Sequence, residues 1–442
     1  QDKAIADLEA LLADADPVRE DTQAIKTTLA RMLVQTGNQV GARRQVEEVL
    51  AQNPSNVDAL KMQATWQLQA DEVDDAIGNL RVALDTAPED IQVMNLMYEA
   101  YIRLGDTNLA REYLALAVEA SGNAPEPSLR YARQLFSEER YLPAEDVLLP
   151  ALRQAPGNVD ILSLLGRVYL RLEDIPRATQ VIETLNRLDT EQSRSVASGL
   201  QAEALNQEGG TEEALAYLEG LANSADAGIR ERLILMRARL QVGETEAALA
   251  IAEELAAETP DNLGIQQALA NAQVAHGDLA AAEETLRGIT TAAPQAAAQA
   301  WLQRARIARR QGDVAKADAL IEESLAATNR NANIVWAKAS LMEQAGDIDG
   351  AIALYEELYA RNSSSVVVAN NLASLLATYK DDTESLERAW VVGRRLRDAE
   401  NPALQDTYGW ILFRRGEVED ALPYLESAAA GLEDPIVQAH LG

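Results

Sequence analysis

The sequence of 442 residues contains no cysteine and only two histidines. Without cysteine the chain cannot form disulfides, Cys-ligated zinc sites, iron–sulfur clusters or thiol nucleophiles. Basic residues are also scarce, because 39 Lys and Arg face 70 Asp and Glu and leave a formal net charge of −31. Nucleic acids and anionic membranes attract a surplus of Lys and Arg, so this charge balance argues against both as partners. The lack of cysteine leaves the compartment open.

Long apolar runs are missing as well. No window of 18 or more apolar residues occurs, so we expect no membrane-spanning helix in this sequence. The composition is otherwise that of a folding chain, with 47% hydrophobic and 25% charged residues. The sequence begins at Gln1 without a methionine, a basic n-region or an apolar h-region, so we expect it to be part of a longer chain.

What the sequence does contain is an internal repeat. A turn with Gly or an acidic residue is followed five residues later by a small residue, here called the key residue. In several units Pro follows twelve residues after that, as in Gly243, Ala248 and Pro260. At intervals of 34 to 36 residues, the key residues are Ala42, Ala76, Ala110, Ala144, Ala178, Ala214, Ala248, Ala282, Ala317, Ala351, Leu386 and Ala421. Twelve units therefore fill nearly the whole chain.

Each unit is predicted to be a pair of helices. Apolar or small residues recur at three- and four-residue spacing before and after the key residue. Prolines such as Pro54 and Pro156 end second helices, because proline has no amide hydrogen and disfavours a helical conformation in the residue before it. Turns such as Gly277-Asp278 separate the two helices of a pair, with Gly for backbone freedom and Asp as the cap of the next helix.

This spacing resembles the tetratricopeptide repeat. One unit that carries the pattern consists of Leu162, Leu165, Gly166, Tyr169, Glu173, Ala178 and Ile182, and the last consists of Tyr408, Gly409, Leu412, Gly416, Ala421, Leu425 and Ala428. The resemblance implies an all-α fold, an alpha-alpha superhelix in which helix pairs stack into one continuous right-handed solenoid. Residues 1–22 would be the second helix of a truncated preceding repeat and a turn. Residues 23–194 would hold units 1–5, residues 195–435 units 6–12, and residues 436–442 the start of a truncated following helix.

Catalytic chemistry finds little support in this sequence. His276 and His440 are each predicted to be solvated residues. Carboxylate pairs such as Glu253 and Glu254 are expected on exposed helix faces. No Gly-rich phosphate loop follows a strand, because no strand is predicted. We therefore predict a protein that is not an enzyme and has no catalytic residues, no metal site and no cofactor.

The resemblance implies that first helices line the inner, concave surface of the solenoid. Five groove positions per unit lie 18, 15, 11, 8 and 7 residues before the key residue. These sixty positions hold twelve basic and seven acidic residues, a surplus of five positive charges, whereas the remaining positions hold 27 basic and 63 acidic residues. Eleven of the twelve basic residues are Arg, whose planar fork suits carboxylates. The alternative interpretation is that these Arg residues only form ion pairs with acidic neighbours.

Aromatic residues also fall on groove positions, and Arg beside aromatics is typical of interaction hot spots. One predicted contact patch groups Arg103 with the arginines of units 4 and 5, and a second groups Trp336 with the aromatics of units 11 and 12. The predicted partner-binding residues are Arg103, Arg133, Arg167, Arg171, Arg237, Arg306, Arg309, Arg310, Phe136, Trp336, Tyr379, Trp410, Phe413 and Arg414.

A narrower resemblance covers the C-terminal units. The segments Asn370–Ala377, Asn401–Leu412 and Ala421–Leu425 are similar to repeats of bacterial envelope lipoproteins that accompany PEP-CTERM sorting and exopolysaccharide export. This implies a periplasmic or envelope-associated scaffold that binds an acidic peptide segment, a protein or an anionic polysaccharide in the groove, tethered by a segment outside this sequence. A cytoplasmic location stays open. The alternative is a regulatory or substrate-recruiting region of a larger enzyme, and self-association is a third hypothesis.

Overall fold

The structure is a computed structural model that describes residues 2–13, 15–224 and 227–442; Gln1 and Asp14, which fall in the predicted N-terminal segment, and Ala225 and Asp226 lie outside this part. The described residues form 26 α-helices and one short 3-10 helix, without a strand. Helix α1 spans Asp2–Leu12 and α26 spans Pro435–Leu441. Twelve pairs of a first and a second helix, here called repeats 1–12, lie between them.

In chain order the pairs are α2 (Glu20–Gln35) with α3 (Gln39–Gln52), α4 (Val57–Gln69) with α5 (Val73–Thr86), α6 (Ile91–Leu104) with α7 (Thr107–Ala120), α8 (Pro125–Ser137) with α9 (Tyr141–Gln154), α10 (Val159–Arg171) with α11 (Ile175–Leu188), α12 (Glu191–Glu208) with α13 (Thr211–Ala222), α14 (Ile229–Gln241) with α15 (Thr245–Glu258), α16 (Leu263–His276) with α17 (Leu279–Ala292), α18 (Ala298–Arg310) with α19 (Val314–Ala327), α20 (Ala332–Gln344) with α21 (Ile348–Arg361), α22 (Val366–Tyr379) with α23 (Thr383–Gly393), and α24 (Pro402–Arg414) with α25 (Val418–Gly431). The 3-10 helix, Arg394–Leu396, follows α23.

The predicted all-helical repeat is confirmed. Every key residue is the fourth residue of a second helix. Eight of the key alanines have no exposed surface, namely Ala42, Ala76, Ala110, Ala144, Ala178, Ala248, Ala282 and Ala351. A small side chain at this place lets the helices of a pair approach closely, and a larger one would have to displace its neighbours.

Helix ends follow the local chemistry that the sequence indicated. Helix α3 ends two residues before Pro54, and α5 ends two residues before Pro88. At the turn between α6 and α7, Gly105 has a φ of 71°, which glycine adopts without steric cost. The Asp106 carboxylate then accepts a hydrogen bond from the Leu109 amide at 3.0 Å and caps α7.

The chain divides into two compact units. Unit 1 contains residues 1–131 and 355–442, and unit 2 contains residues 132–354. In both units, helices that are adjacent in the sequence pack on one another, as α4 does on α5 in unit 1 and α16 on α17 in unit 2. This is the stacking expected of a helical repeat.

Unit 1 also contains a buried cluster between residues that are far apart in the sequence. This cluster, the Asp71 cluster, consists of Asp71, Arg103, Tyr359, Arg388 and Arg395. The Tyr359 hydroxyl donates to Asp71 Oδ1 at 2.7 Å, and Arg388 Nη1 lies 3.1 Å from Asp71 Oδ2. Arg395 Nη2 lies 3.4 Å from Asp71 Oδ1, and Arg103 Nη1 lies 3.7 Å from it. Contacts between non-neighbouring repeats were not predicted.

The residues after α23 extend this contact. We call Arg394–Asp398 the docking segment, because it lies against the turns inside repeats 2 and 3. Arg397 Nη2 donates to the Gly105 carbonyl at 3.2 Å, and Asp398 Oδ2 accepts from the Thr107 amide at 3.2 Å. A Cβ atom on Gly105 would lie 2.5 Å from the Arg394 carbonyl oxygen, so glycine is needed at this place.

Candidate functional site

Exposed arginines mark the groove positions of unit 2. Arg133 on α8, Arg167 and Arg171 on α10, and Arg237 on α14 are all exposed; we call these four residues the basic face. Within residues 2–13, 15–224 and 227–442, no carboxylate lies within 4.0 Å of any of their guanidinium groups. By contrast, Arg230 pairs with Glu191. Ion pairing to acidic neighbours therefore accounts for some groove arginines but not for the basic face.

An aromatic ring supports part of this face. Phe136 of α8 is half-buried, and the guanidinium carbon of Arg167 lies 4.7 Å from the centre of its ring. Phe136 also contacts Tyr141 edge-to-face, with 5.3 Å between ring centres. The Arg167 guanidinium is thus held over a ring of the preceding repeat by a cation–π contact and keeps its hydrogen-bond donors for a ligand.

The other predicted residues of unit 2 are also exposed. Arg306, Arg309 and Arg310 lie at the C-terminal end of α18, and only Arg309 has a carboxylate near it among the described residues, Asp318 at 4.0 Å. Trp336 on α20 exposes 40% of its surface. The structure therefore places these four side chains where a ligand could reach them.

Two cavities adjoin the basic face. One, of about 560 Å³, lies between α12, α13 and α14, and its walls include Glu203, Arg237 and Gln241; we call it the repeat 6–7 cavity. Another, of about 490 Å³, is lined by residues that include Arg171 and Gln207. Volumes of this size are typical of ligand-binding pockets.

Arg103 differs from the prediction. It is 6% exposed and belongs to the Asp71 cluster, where its Nη1 donates to Ser363 Oγ at 2.7 Å. The Arg103 guanidinium therefore contacts Ser363 and Asp71 inside the protein and is not available to a ligand. It also belongs to unit 1, whereas Arg133, Arg167 and Arg171, with which the sequence grouped it, belong to unit 2.

The residues of the predicted C-terminal patch fall in both units. Trp336 belongs to unit 2, and Tyr379, Trp410, Phe413 and Arg414 belong to unit 1. Tyr379 is 57% exposed and Phe413 42% exposed, and the ring centres of Phe413 and Trp410 are 5.2 Å apart. Arg414 donates to the Lys380 carbonyl at 3.1 Å and pairs with Asp381 at 2.6 Å, so the main role of its charge is local.

His440 corrects another expectation. It is not a solvated residue, because its Nδ1 lies 3.0 Å from the Asp406 carboxylate and its side chain is only 11% exposed. Its ring stacks on Trp410, with 4.0 Å between ring centres. His440 therefore anchors α26 to α24.

The described residues offer neither a metal site nor a helix that could span a membrane. No group of three His, Asp or Glu side chains there could hold a metal ion. Of the described helices, none combines the length and the apolar character needed to cross a bilayer.

Two important positions, Asp71 and Gly199, are not predicted by the sequence. Asp71 occupies a turn place where most repeats have glycine, and Gly199 is the only glycine among the twelve residues that lie 15 places before a key residue. Each residue differs from those at the equivalent position of most other repeats, so the alignment of the repeats can single it out. The sequence alone does not show which distant residues contact Asp71 or that Gly199 lines a cavity.

Comparison with known proteins identifies the repeat. Sequence models of the tetratricopeptide repeat match residues 239–307, and residues 27–91 and 302–366. The TPR repeat-containing protein PA4667 of Pseudomonas aeruginosa strain PAO1 is 27% identical over 149 residues, which are 34% of this chain and 25% of that protein. The chain thus contains tetratricopeptide repeats, and the match spans a quarter of that relative's length. Such repeats are typically non-catalytic and bind protein partners.

Solved structures with similar helical repeats include a tetratricopeptide repeat protein from Parabacteroides merdae ATCC 43184, with a TM-score of 0.37 and 14% identity over 57% of this chain and 98% of that one. The yeast Tom70 structure has a TM-score of 0.36 and 13% identity over 87% and 95% of the chains. The human IFIT1 dimer with PPP-AAAA has a TM-score of 0.37 and 17% identity over 98% and 96%. At these values the likeness carries no statement about function.

Proposed function

We propose that this tetratricopeptide-repeat chain is a non-catalytic interaction scaffold that binds an acidic peptide segment at the basic face of repeats 4–7. The observation that carries the proposal is that four exposed guanidinium groups lack a carboxylate partner among the described residues, although the whole chain has a net charge of −31. An acidic segment is repelled by the acidic majority of the surface and attracted by these arginines.

A peptide fits this face better than an anionic polysaccharide. Arginine forks bind carboxylates of either ligand in pairs of parallel hydrogen bonds. The face also offers the half-buried ring of Phe136 and two cavities, one of them with apolar residues such as Leu215 and Leu218 in its walls. Apolar side chains of a peptide can use such sites, so the surface offers more to a peptide than to a uniformly charged polymer.

A charge-reversal experiment tests this function. The variant Arg133→Glu/Arg167→Glu/Arg171→Glu is compared with the wild type for binding of a fluorescent twelve-residue peptide that contains six glutamates. Because three attractive contacts become repulsive, we expect the dissociation constant to rise at least tenfold. We also expect the wild-type affinity to fall with added salt, since exposed charges are screened.

The matched control changes the same charge on the other side of the same repeats. Arg140 precedes α9, Arg153 lies in α9 and Arg187 lies in α11, and all three are exposed. Their joint change to glutamate should leave peptide affinity within about twofold of wild type. Equal losses in both triple variants would show that net charge alone matters and would refute a site at the basic face. Tighter binding of an alginate oligosaccharide than of every peptide would reassign the ligand to a polysaccharide.

We further propose that the scaffold works in a bacterial envelope system for secretion or exopolysaccharide export. The support is the similarity of the segments around Asn370–Ala377 and Asn401–Leu412 to repeats of envelope lipoproteins. Cell fractionation of the native host tests this location. Recovery of the protein in the cytoplasm alone would contradict it without affecting the proposed binding of an acidic segment.

A further inference from the structure

We propose that the repeat 6–7 cavity is a pocket for one large apolar side chain of the acidic peptide partner. The inference rests on the function proposed above and adds a specificity site to it. In this proposal the apolar side chain, here called the anchor, contacts the walls of the pocket. The peptide residues on either side of the anchor contact the charged groups at its rim.

The cavity has the two kinds of surface that such an anchor requires. Its volume is about 560 Å³, and Leu215, Leu218 and Ile234 supply apolar walls. Glu203, Arg237 and Gln241 also line it, and all three occupy groove positions, so the cavity opens on the same side as the basic face. An apolar chamber with a few polar groups is the usual composition of a site that buries part of a ligand.

Gly199 accounts for the opening. All eleven other repeats have a side chain at this position, from Ser163 in repeat 5 to Trp336 in repeat 10. Gly78, Gly220 and Gly288 also lie inside helices, but of these four glycines only Gly199 lines the repeat 6–7 cavity. No left-handed backbone requires it, and no atom lies within 4 Å of a Cβ built on it. The missing side chain instead leaves the cavity accessible.

The charged groups at the rim are unoccupied by internal partners. In the described part of the chain, neither Glu203 nor Arg237 has an oppositely charged group within 4.0 Å, although both line the same cavity. Arg237 can therefore pair with a carboxylate next to the anchor. Glu203 can accept hydrogen bonds from peptide amides, and the Gln241 side chain can both donate to and accept from the peptide backbone.

Charge selects a peptide as the occupant. Arg237 lines the cavity, and Arg171 lines the neighbouring one together with Glu173 and Glu208, so the positive group that a ligand meets in the pocket itself is Arg237. A peptide that combines acidic residues with one apolar side chain matches both the rim and the walls. A neutral apolar metabolite could use the apolar walls but would gain nothing from the exposed Arg237 guanidinium.

The experiment fills the pocket without disturbing the basic face. Twelve-residue peptides with six glutamates and a central Ala, Leu, Phe or Trp are titrated into the wild type, Gly199→Met and Ala238→Met. We expect wild type to bind the best apolar-centred peptide at least tenfold more tightly than the Ala-centred one. Both filled variants should lose this preference and keep their affinity for the Ala-centred peptide. Gly288→Met serves as the matched control, because it adds the same side chain to an exposed glycine of α17 that does not line the cavity and has no atom within 4 Å of a built Cβ; it should retain the preference.

The outcomes separate this inference from the proposed function. If the filled variants are folded, as judged by melting temperature, and keep the wild-type preference, the pocket assignment is wrong and the acidic-peptide function stands. If wild type shows no preference among the peptides, the pocket assignment is also wrong. If no acidic peptide binds to any variant, both proposals fail. Loss of alginate-oligosaccharide binding in Gly199→Met, with peptide binding unchanged, would reassign the pocket to a sugar.

Discussion

Asp71 is held in an unfavourable backbone conformation by its buried contacts. Its φ is 61°, in the left-handed region that other repeats enter with glycine, such as Gly37 and Gly243. This conformation costs a residue with a side chain about 1–2 kcal/mol. The carboxylate lies against Tyr359, Arg388 and Arg395, and burial raises the pKa of the Tyr359 hydroxyl well above its ordinary value. Tyr359 therefore remains a neutral donor to Asp71 throughout the physiological range.

At Asp71 the backbone conformation is unfavourable but the buried side-chain contacts are favourable, whereas at Glu139 only the backbone conformation matters. Replacement by glycine should therefore change the stability of the protein in opposite directions at these two turns. Asp71→Gly relieves the backbone but leaves buried arginines without their carboxylate, so we expect stability to fall by about 2–4 kcal/mol. Glu139 has a φ of 57°, is exposed and has no ion-pair partner among the described residues. Relief of this backbone outweighs the entropy that glycine adds to the unfolded chain, so Glu139→Gly should raise stability by up to about 1 kcal/mol. Urea unfolding measures both, and effects of the same sign would contradict this account.

Asp90 gives the molecule a dependence on acid. Burial by itself would raise the pKa of Asp90, but hydrogen bonds from the Lys61 ammonium at 2.9 Å and from the Val93 and Gln92 amides outweigh it and hold the pKa below its ordinary value. Because the pKa of Asp90 is lower in the folded protein, the stability that its carboxylate contributes is complete above the pKa of the unfolded chain, about 3.9. This stability is lost as the pH falls through the pKa of the folded protein.

We therefore expect the urea midpoint of the wild type to fall more steeply than that of Asp90→Asn between about pH 4 and pH 2. The asparagine variant can still cap α6 but does not titrate there. Urea unfolding at several pH values checks this. Parallel curves for the two proteins would show that Asp90 is not a source of the acid sensitivity.

At the scale of the element, the sequence predicts most of what the structure contains, because helices begin and end for local reasons. The proline after a second helix and the Gly-Asp turn inside a pair act within a few residues. The Asp71 cluster is not predicted by the sequence, since Tyr359, Arg388 and Arg395 lie 288 to 324 positions from Asp71 and packing rather than sequence spacing brings them together. The basic face was predicted from the repeat register, whereas the burial of Arg103 depends on Ser363, a residue outside its own and neighbouring repeats.

Gly166 and Gly199 both lie inside helices but differ in their surroundings, since Gly166 is closely packed and Gly199 has open space beside it. A Cβ atom on Gly166 would lie 2.5 Å from Leu200 Cδ1, so α10 and α12 are in contact there. Gly166→Leu should therefore destabilise the protein by about 1–3 kcal/mol. Gly199→Ala should stabilise it by up to about 1 kcal/mol, because alanine is the better helix former and space is free. Thermal unfolding compares them, and a stabilising Gly166→Leu would show that the helices separate at little cost.

At the scale of the whole molecule, the stability of a helical repeat is roughly a sum over neighbouring repeats. Unit 1 departs from this rule, because the docking segment, which follows repeat 11, contacts the turn of repeat 2 through Arg394 and the Asp71 carbonyl and the turn of repeat 3 through Arg397 and Asp398. A change in the docking segment should therefore be felt about 290 residues earlier in the sequence. Local stability measured by hydrogen exchange can detect such a link.

We expect Asp398→Ala to increase amide exchange in α6 and α7, because Asp398 accepts a hydrogen bond from the Thr107 amide at the start of α7. Asp434→Ala is the control, since that carboxylate caps only its own helix by accepting from Ile436 at 2.7 Å. Exchange in α6 and α7 that is unchanged in Asp398→Ala would show that the docking segment contributes nothing to their stability.

The Asp71 cluster also sets an order of events during biosynthesis. Asp71 and Arg395 are 324 residues apart, so the carboxylate leaves the ribosome long before this arginine partner is made. A ribosome that adds roughly 5–20 residues per second needs about 15–60 s to reach Arg395 after it has made Asp71. The first repeats therefore emerge and fold while this carboxylate is still hydrated. Its burial, with the docking of Arg394–Asp398, is a late step that waits for translation of the eleventh repeat.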